Sequence, residues 1–181
     1  MTGSADNDPV ILVDADDTEV GTAGKLDAHK RGLKHRAISV LVKNSTGELL
    51  LQQRHPGKYH SGSLWANACC SHPLPGESTA DAALRRLNQE MGIVCPLEPL
   101  FTFDYRAPVS DELTENELVH VFGGSHDGRI APDPTEVVQW KWIRFDDLAT
   151  DLRGHPEDYA VWFRKYVAAR GGLILGWLAR R

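Results

Sequence analysis

Apolar residues recur along this chain with two different periods, and the switching between them outlines an α/β fold. From Arg36 the run Ala-Ile-Ser-Val-Leu-Val-Lys, the turn Asn44 to Gly47 and the run Glu-Leu-Leu-Leu-Gln-Gln-Arg read as a strand hairpin, because β-branched and aliphatic runs flank turn residues. Further strands are expected around Leu100 to Tyr105, Glu117 to Phe122 and Val137 to Phe145. In the second of these, alternation puts Glu117, Val119 and Val121 on one face and His120 on the other. The period then changes to that of a helix. Ser78 can cap a helix in which Ala80, Ala83, Leu84, Leu87 and Met91 recur until Gly92 stops it. A last helix is expected behind Pro156, with Tyr159, Trp162, Phe163, Tyr166 and Val167 as its apolar stripe and Gly171 and Gly172 as its end.

The domain organisation follows from these elements. Residues 1–24 read as a loosely ordered segment with an edge strand at Val10 to Val13, residues 25–170 as one folded domain, and residues 171–181 as a tail that packs on the body or on a partner. A chain of 181 residues with 41% hydrophobic content suits a single core. No run approaches the roughly 20 apolar residues of a membrane span, and acidic Asp6 and Asp8 stand where a secretory leader would be basic, so a cytoplasmic location is expected. The net charge of -5, with 20 Lys and Arg spread along the chain, offers no basic stripe for nucleic acid. It leaves room for a compact phosphate ligand, which needs only a few converging cations. Cys69 and Cys70 are adjacent and cannot easily bridge, so all three cysteines are read as thiols.

Two constellations carry chemistry. In Ser71 to Ile93, the residues Glu77, Arg85, Leu87, Glu90, Gly92 and Ile93 fall on the spacing of a Nudix box, a loop-helix-loop motif whose clustered carboxylates ligate the Mg2+ that neutralises a diphosphate. The match is partial: Ser71 replaces the leading Gly, and Arg86 and Gln89 each replace a Glu. On these residues alone, a solvated helix with an Arg86–Glu90 ion pair is an open alternative. Running into the box is Trp65-Ala-Asn-Ala-Cys-Cys-Ser-His-Pro, with Arg54 and Lys58 upstream, His29 and Leu33-Lys-His-Arg-Ala earlier, and Glu115-Asn-Glu117 later.

Taken together, from about Lys25 to Trp162, these motifs resemble type I isopentenyl diphosphate isomerase, a family of the Nudix superfamily. The resemblance implies a Nudix-like mixed β-sheet flanked by helices, an α/β/α sandwich, and an enzyme that isomerises isopentenyl diphosphate to dimethylallyl diphosphate for isoprenoid synthesis. It implies Cys70, Glu117, Tyr105 and Trp162 as catalytic residues, with Cys69 a bystander. Lys25, Arg54, Lys58 and Arg86 would hold the diphosphate, and Arg86 in place of a box Glu then makes sense as a phosphate partner. His29, His35, His72, Glu115 and Glu117 would bind Mn2+, Mg2+ or Zn2+, and Glu90 a Mg2+ that arrives with substrate. Six steps separate His29 from His35, where versions of the family carry one more residue.

The other histidines, His55, His60, His120, His126 and His155, match no motif position and are read as ordinary surface or core residues. Periodicity alone makes Trp162 a core residue, and Lys25 alone a solvated one. No flavin is expected, because no Gly-rich dinucleotide turn is present. The expected partner is a small allylic diphosphate, and the expected assembly a monomer or weak homodimer. Two rivals stay open at this point: a Nudix hydrolase of nucleoside diphosphate derivatives, favoured by Glu77 and Glu90, and a noncatalytic module that binds metal or prenyl diphosphate.

Overall fold

The computed structural model describes residues 8–180. A mixed sheet of nine strands forms its centre: β1 (Pro9–Val13), β2 (Glu19–Gly24), β3 (His35–Lys43), β4 (Leu49–Arg54), β5 (Trp65–Asn67), β6 (Cys69–Ser71), β7 (Leu97–Pro108), β8 (Thr114–Ser125) and β9 (Val137–Ile143). The helices are α1 (Lys25–Arg31), α2 (Thr79–Met91), α3 (Phe145–Gly154) and α4 (Val161–Leu178). This is the α/β/α sandwich expected from the sequence.

Strand β3 organises the sheet. One edge pairs in parallel with β8 over its whole length, from His35 opposite Glu117 to Lys43 opposite Ser125. Its other edge is shared in turn by β1 at His35, β6 from Ile38 to Val40, and β4 at Lys43. Because side chains alternate across a strand, Ile38, Val40 and Val42 join a core under α2, while Ala37 and Leu41 join a core under α3 and α4. The same alternation separates the adjacent cysteines: Cys69 packs under α2, and Cys70 against the α4 side.

Several local expectations hold. The Ser78 hydroxyl accepts from Asp81 N–H at 3.1 Å, and Gly92 ends α2 in the left-handed conformation. Others need correction. Residues 9–24 are an antiparallel hairpin packed beside β3, although residues 1–7 of the segment expected to be loose lie outside the described residues. Helices α1 and α3 and the short strands β5 and β6 were not anticipated. The final helix does not stop at Gly171 and Gly172 but runs through both to Leu178. The cost of helical glycine, roughly 1 kcal/mol each, is offset beyond them, where Ile174 and Trp177 are buried. Trp177 Nε1 donates to Glu98 at 2.9 Å, and Lys43 Nζ donates to the carbonyls of Trp177 and Arg180 at the helix end. No helix among the described residues is long and apolar enough to cross a membrane.

The continuous helix makes a paired prediction. Gly172 has open space where a Cβ would go, so Gly172→Ala should raise stability by about 0.5–1 kcal/mol in urea unfolding. Gly123 on β8 would place its Cβ 2.6 Å from the Trp177 ring, so Gly123→Ala should lower stability by about 1–3 kcal/mol. Equal effects at the two glycines would contradict the docking of Trp177 on the sheet.

Candidate active site

The site lies where the starts of β3 and β8 and the loop after β4 meet. Register sets its centre. Glu117 on β8 stands opposite His35 on β3 and opposite Tyr105 on β7, so the three form one row across the sheet. Glu115, two residues earlier, shares the face of Glu117. The Tyr105 hydroxyl lies 2.7 Å from Glu115 Oε2 and 2.9 Å from Glu117 Oε2, joining the two buried carboxylates. Helix α1 brings in Lys25 and His29, four residues apart on one helical face. His72 enters from the residue after β6, with Nε2 at 3.1 Å from Glu117 Oε1.

Imidazole rings crowd this point: His29 and His35 have centroids 4.9 Å apart, and His35 and His72 5.0 Å. Ligand atoms of His29, His35, His72 and Glu117 all lie within 4.8 Å of one another. Their tautomers are set from behind. A carbonyl oxygen accepts only, so Nδ1–H of His29 must donate to Lys25 O at 2.7 Å, and Nδ1–H of His35 to Leu33 O at 2.8 Å. In the neutral rings the Nε2 lone pairs therefore face the cluster. His35 Nε2 is buried and makes no directed hydrogen bond among the described residues, although Glu117 Oε1 lies 3.4 Å away. A lone pair facing a carboxylate is repulsive unless a proton or a cation lies between them. The donor set, with backbone carbonyls fixing the His29 and His35 rings, therefore fits a first-row divalent ion. Of the five expected ligands, Glu115 is the one outside this tight group, and it falls instead with His29 and His60.

The electrostatics differ sharply between neighbours. Burial and the adjacent Glu117 charge raise Glu115 to about 8. Burial acts in the same direction on Glu117, but the His35 and His72 imidazoles beside it outweigh burial and hold that carboxyl well below the usual range. His72 is lowered by burial to about 3, and His60 to about 2 by burial and the Arg54 charge. The Cys70 thiol is raised to about 12 by burial, against the opposing hydrogen bonds from Ser39 and Asn67. Cys70 thus keeps its proton at neutral pH.

A cleft opens above this centre. Cys70, His72, Glu115, Glu117 and Trp162 line its interior, and Lys25, Arg54, Lys58 and Arg86 line it too. Here the structure gathers all four cations expected to hold phosphate. They have protein partners: Lys58 pairs with Glu136, Arg86 Nη2 lies 2.7 Å from Glu90 Oε1 and 3.5 Å from Glu136 Oε1, and Lys25 sits over the Tyr59 ring. Arg86 and Glu90 do form the i,i+4 pair, buried on the α2 flank rather than solvated. The other Glu90 oxygen accepts from Gln52 at 3.0 Å, and Glu90 lies apart from the histidine cluster. The Arg54 guanidinium lies 5.1 Å over the Trp162 ring, so the indole face already receives a cation.

Residues the sequence did not single out tie these parts together. Asn67 Oδ1 accepts from Cys70 Sγ at 3.0 Å and from Trp162 Nε1 at 3.3 Å, and its amide donates to Ser39 Oγ and to the carbonyls of Val40 and Cys69. Its place in the Asn-x-x-Cys motif was the available signal. Glu136 carried no such signal, since it reaches Lys58 and Arg86 only through the pairing of β9 with β4. His60, which matched no motif position, is buried beside the site: its ring stands 3.3 Å by Nε2 from Glu115 Oε1. His120, by contrast, faces away from the site and meets Asp17 at 2.8 Å.

The class of protein is settled first. The NUDIX domain family matches residues 33–166. A crystal structure from Deinococcus radiodurans shares the fold with a TM-score of 0.68 at 19% identity, covering 82% of this chain and 90% of that one. The MutT protein of Methanosarcina mazei does so at 0.62 and 17%, covering 75% and 91%. Sequence relatives are more specific. Isopentenyl-diphosphate Delta-isomerase 2 of Aromatoleum aromaticum is 53% identical over 155 residues, covering 86% of this chain and 82% of the relative. Isopentenyl-diphosphate Delta-isomerase of Burkholderia multivorans is 45% identical over 172 residues, covering 95% and 98%. The chain belongs to the isopentenyl-diphosphate Delta-isomerase family within the Nudix superfamily.

The box loop yields a pH prediction. Both Arg85 nitrogens donate to Glu77, at 2.6 and 2.7 Å, and Leu74 N–H donates at 2.8 Å, so Arg85 foremost holds the Glu77 carboxyl below its usual range. A depressed folded-state value stabilises the fold above the ordinary carboxylate range, and that contribution is lost as pH falls through the folded value. Glu77→Gln should therefore lower the thermal midpoint at pH 7 and differ less from the parent as the solution is made acidic. A pH-independent difference would show that the charge of Glu77 contributes nothing.

Proposed function

We propose that this protein interconverts isopentenyl and dimethylallyl diphosphate by moving a proton onto one carbon of the allylic unit and another proton off it. The observation that carries this reading is one cleft lined by a protonated thiol and a carboxylate, Cys70 and Glu117, beneath four cations. The cations Lys25, Arg54, Lys58 and Arg86 would bind the diphosphate and leave it intact, since Arg86 occupies a position where a hydrolytic Nudix box carries a carboxylate. The acid and the base must reach the hydrocarbon end, and Cys70 and Glu117 line the same cleft as the cations. They would exchange roles between the two directions of the reaction, as microscopic reversibility requires.

The intermediate stage has tertiary carbocation character. Trp162 would stabilise it with its indole face, by roughly 0.5–2 kcal/mol or more once water is excluded. Asn67 fixes Trp162 and Cys70 relative to each other by accepting from both. Tyr105 bridges Glu115 and Glu117 and would hold the carboxylates in register while protons move. His29, His35, His72, Glu115 and Glu117 would hold Mn2+, Mg2+ or Zn2+. That ion would supply the positive charge that lets two carboxylates stay close and oriented in a buried place. Glu90 would hold a Mg2+ brought by the diphosphate, once substrate draws Arg86 away from it.

Proton NMR of isopentenyl diphosphate in deuterated water with Mg2+ tests the reading. The parent protein should yield dimethylallyl diphosphate carrying deuterium, and Cys70→Ala should lower the rate by at least about 10²-fold. Phosphate release instead would point to hydrolysis and sink the proposal. Lys58→Ala should raise the apparent substrate constant about tenfold, the effect of losing about 1.4 kcal/mol of phosphate contact, with little change in thermal midpoint because Glu136 keeps Arg86 as a partner. An unchanged constant would move the diphosphate away from this loop.

A further inference from the structure

The histidine cluster has a second face. Ligand atoms of His29, His60 and Glu115 lie within 4.8 Å of one another, and those of His29, His35, His72 and Glu117 do likewise, so His29 belongs to both groups. In an octahedral site with bonds near 2.1 Å, opposite donors stand about 4.2 Å apart, so each group by itself has the spacing of donors around one ion. The two groups overlap at His29 and together involve six side chains.

His60 is held there from several sides. Its side chain is only 6% exposed, its ring is 5.6 Å from that of His29, and Nε2 points at Glu115 Oε1 from 3.3 Å. Nδ1 is 3.1 Å from the Ser61 hydroxyl, which leaves Nε2 as the nitrogen turned to the cluster. The Tyr59 ring packs edge-on at 4.3 Å and the Trp162 ring at 6.0 Å, while Arg54 donates to the carbonyls of His60 and Ser61 at 3.3 and 3.1 Å. Arg54 therefore fixes the backbone of the loop that carries this ring. A buried imidazole with one nitrogen engaged and the other aimed between a carboxylate and a second imidazole has the geometry of a ligand.

We infer that His60 is a further ligand of the metal centre, a sixth protein donor beside His29, His35, His72, Glu115 and Glu117. The inference rests on the reading of those five residues as a metal site, and goes beyond it in ligand number. Six protein donors close an octahedron. The loop Arg54–Ser63, which also supplies the cations Arg54 and Lys58 to the cleft, is then anchored to the ion through His60.

Proton NMR of the Co2+-loaded full-length protein tests this, because each coordinated imidazole contributes one ring N–H resonance strongly shifted by the paramagnetic ion. The parent should show four such resonances and His60→Ala three, and chelator competition should show Co2+ binding weakened at least about tenfold in the variant. If His60→Ala does not fold, His60→Gln, which retains side-chain volume and polarity, should likewise show three. Three resonances in the parent as well as the variant would overturn the inference and leave His60 as a hydrogen-bond partner of Glu115. Two Co2+ ions per chain within the cluster would overturn the single six-donor centre. Failure of the parent to bind Co2+ at all would overturn the metal-site reading itself, a result distinct from the other two.

Discussion

Two carboxylates buried side by side on one strand govern the architecture of this protein. Glu115 and Glu117 lie on the same face of β8 and are 3% and 7% exposed. Ionised together in so dry a place they would repel strongly and lose hydration that the interior cannot replace. The surrounding structure answers that cost. Tyr105 bridges them, His35 and His72 approach Glu117, and His60 approaches Glu115. Three strands in fixed register, the residue after β6 and the loop after β4 bring those groups together, so the pairing of β8 with β3 and β7 supports the chemistry directly.

Charge is arranged in two zones around this centre. In the cleft, the loop after β4 and helix α2 contribute cations whose present partners are acidic side chains, above all Glu136 and Glu90. An anionic ligand would exchange with those carboxylates rather than meet bare cations. In the interior, the Asn67 side-chain amide has both polar atoms engaged, and its Oδ1 accepts from both the thiol and the indole. Full satisfaction of a buried polar network is what gives it rigidity.

Much of this was legible in the chain. The motif resemblance chose Cys70 over Cys69, and strand alternation set Glu115 and Glu117 on one side. The Ser78 cap and the Gly92 stop bounded α2. What escaped depended on tertiary contacts. Helix α1 has seven residues, too few to show a period, yet it carries Lys25 and His29 into the site. The glycines that seemed to end α4 are carried through by the burial of Trp177 and Ile174, energy that no local pattern displays. His60 matched no motif position, and only the fold of its loop shows that its ring faces Glu115.

The sequence by itself determined the family, the class of fold and the kinds of groups present: cysteine, paired carboxylates, imidazoles and a set of loop cations in a fixed order. Those are properties of residue identity and spacing, which composition and short motifs carry without folding. Tertiary structure decided which of those groups share a face, which nitrogen of each ring points inward, and which cations are matched by Glu136 and Glu90. Such outcomes depend on the register of strands far apart in the chain and on desolvation by side chains from other elements, and both exist only once the sheet has closed over its two cores.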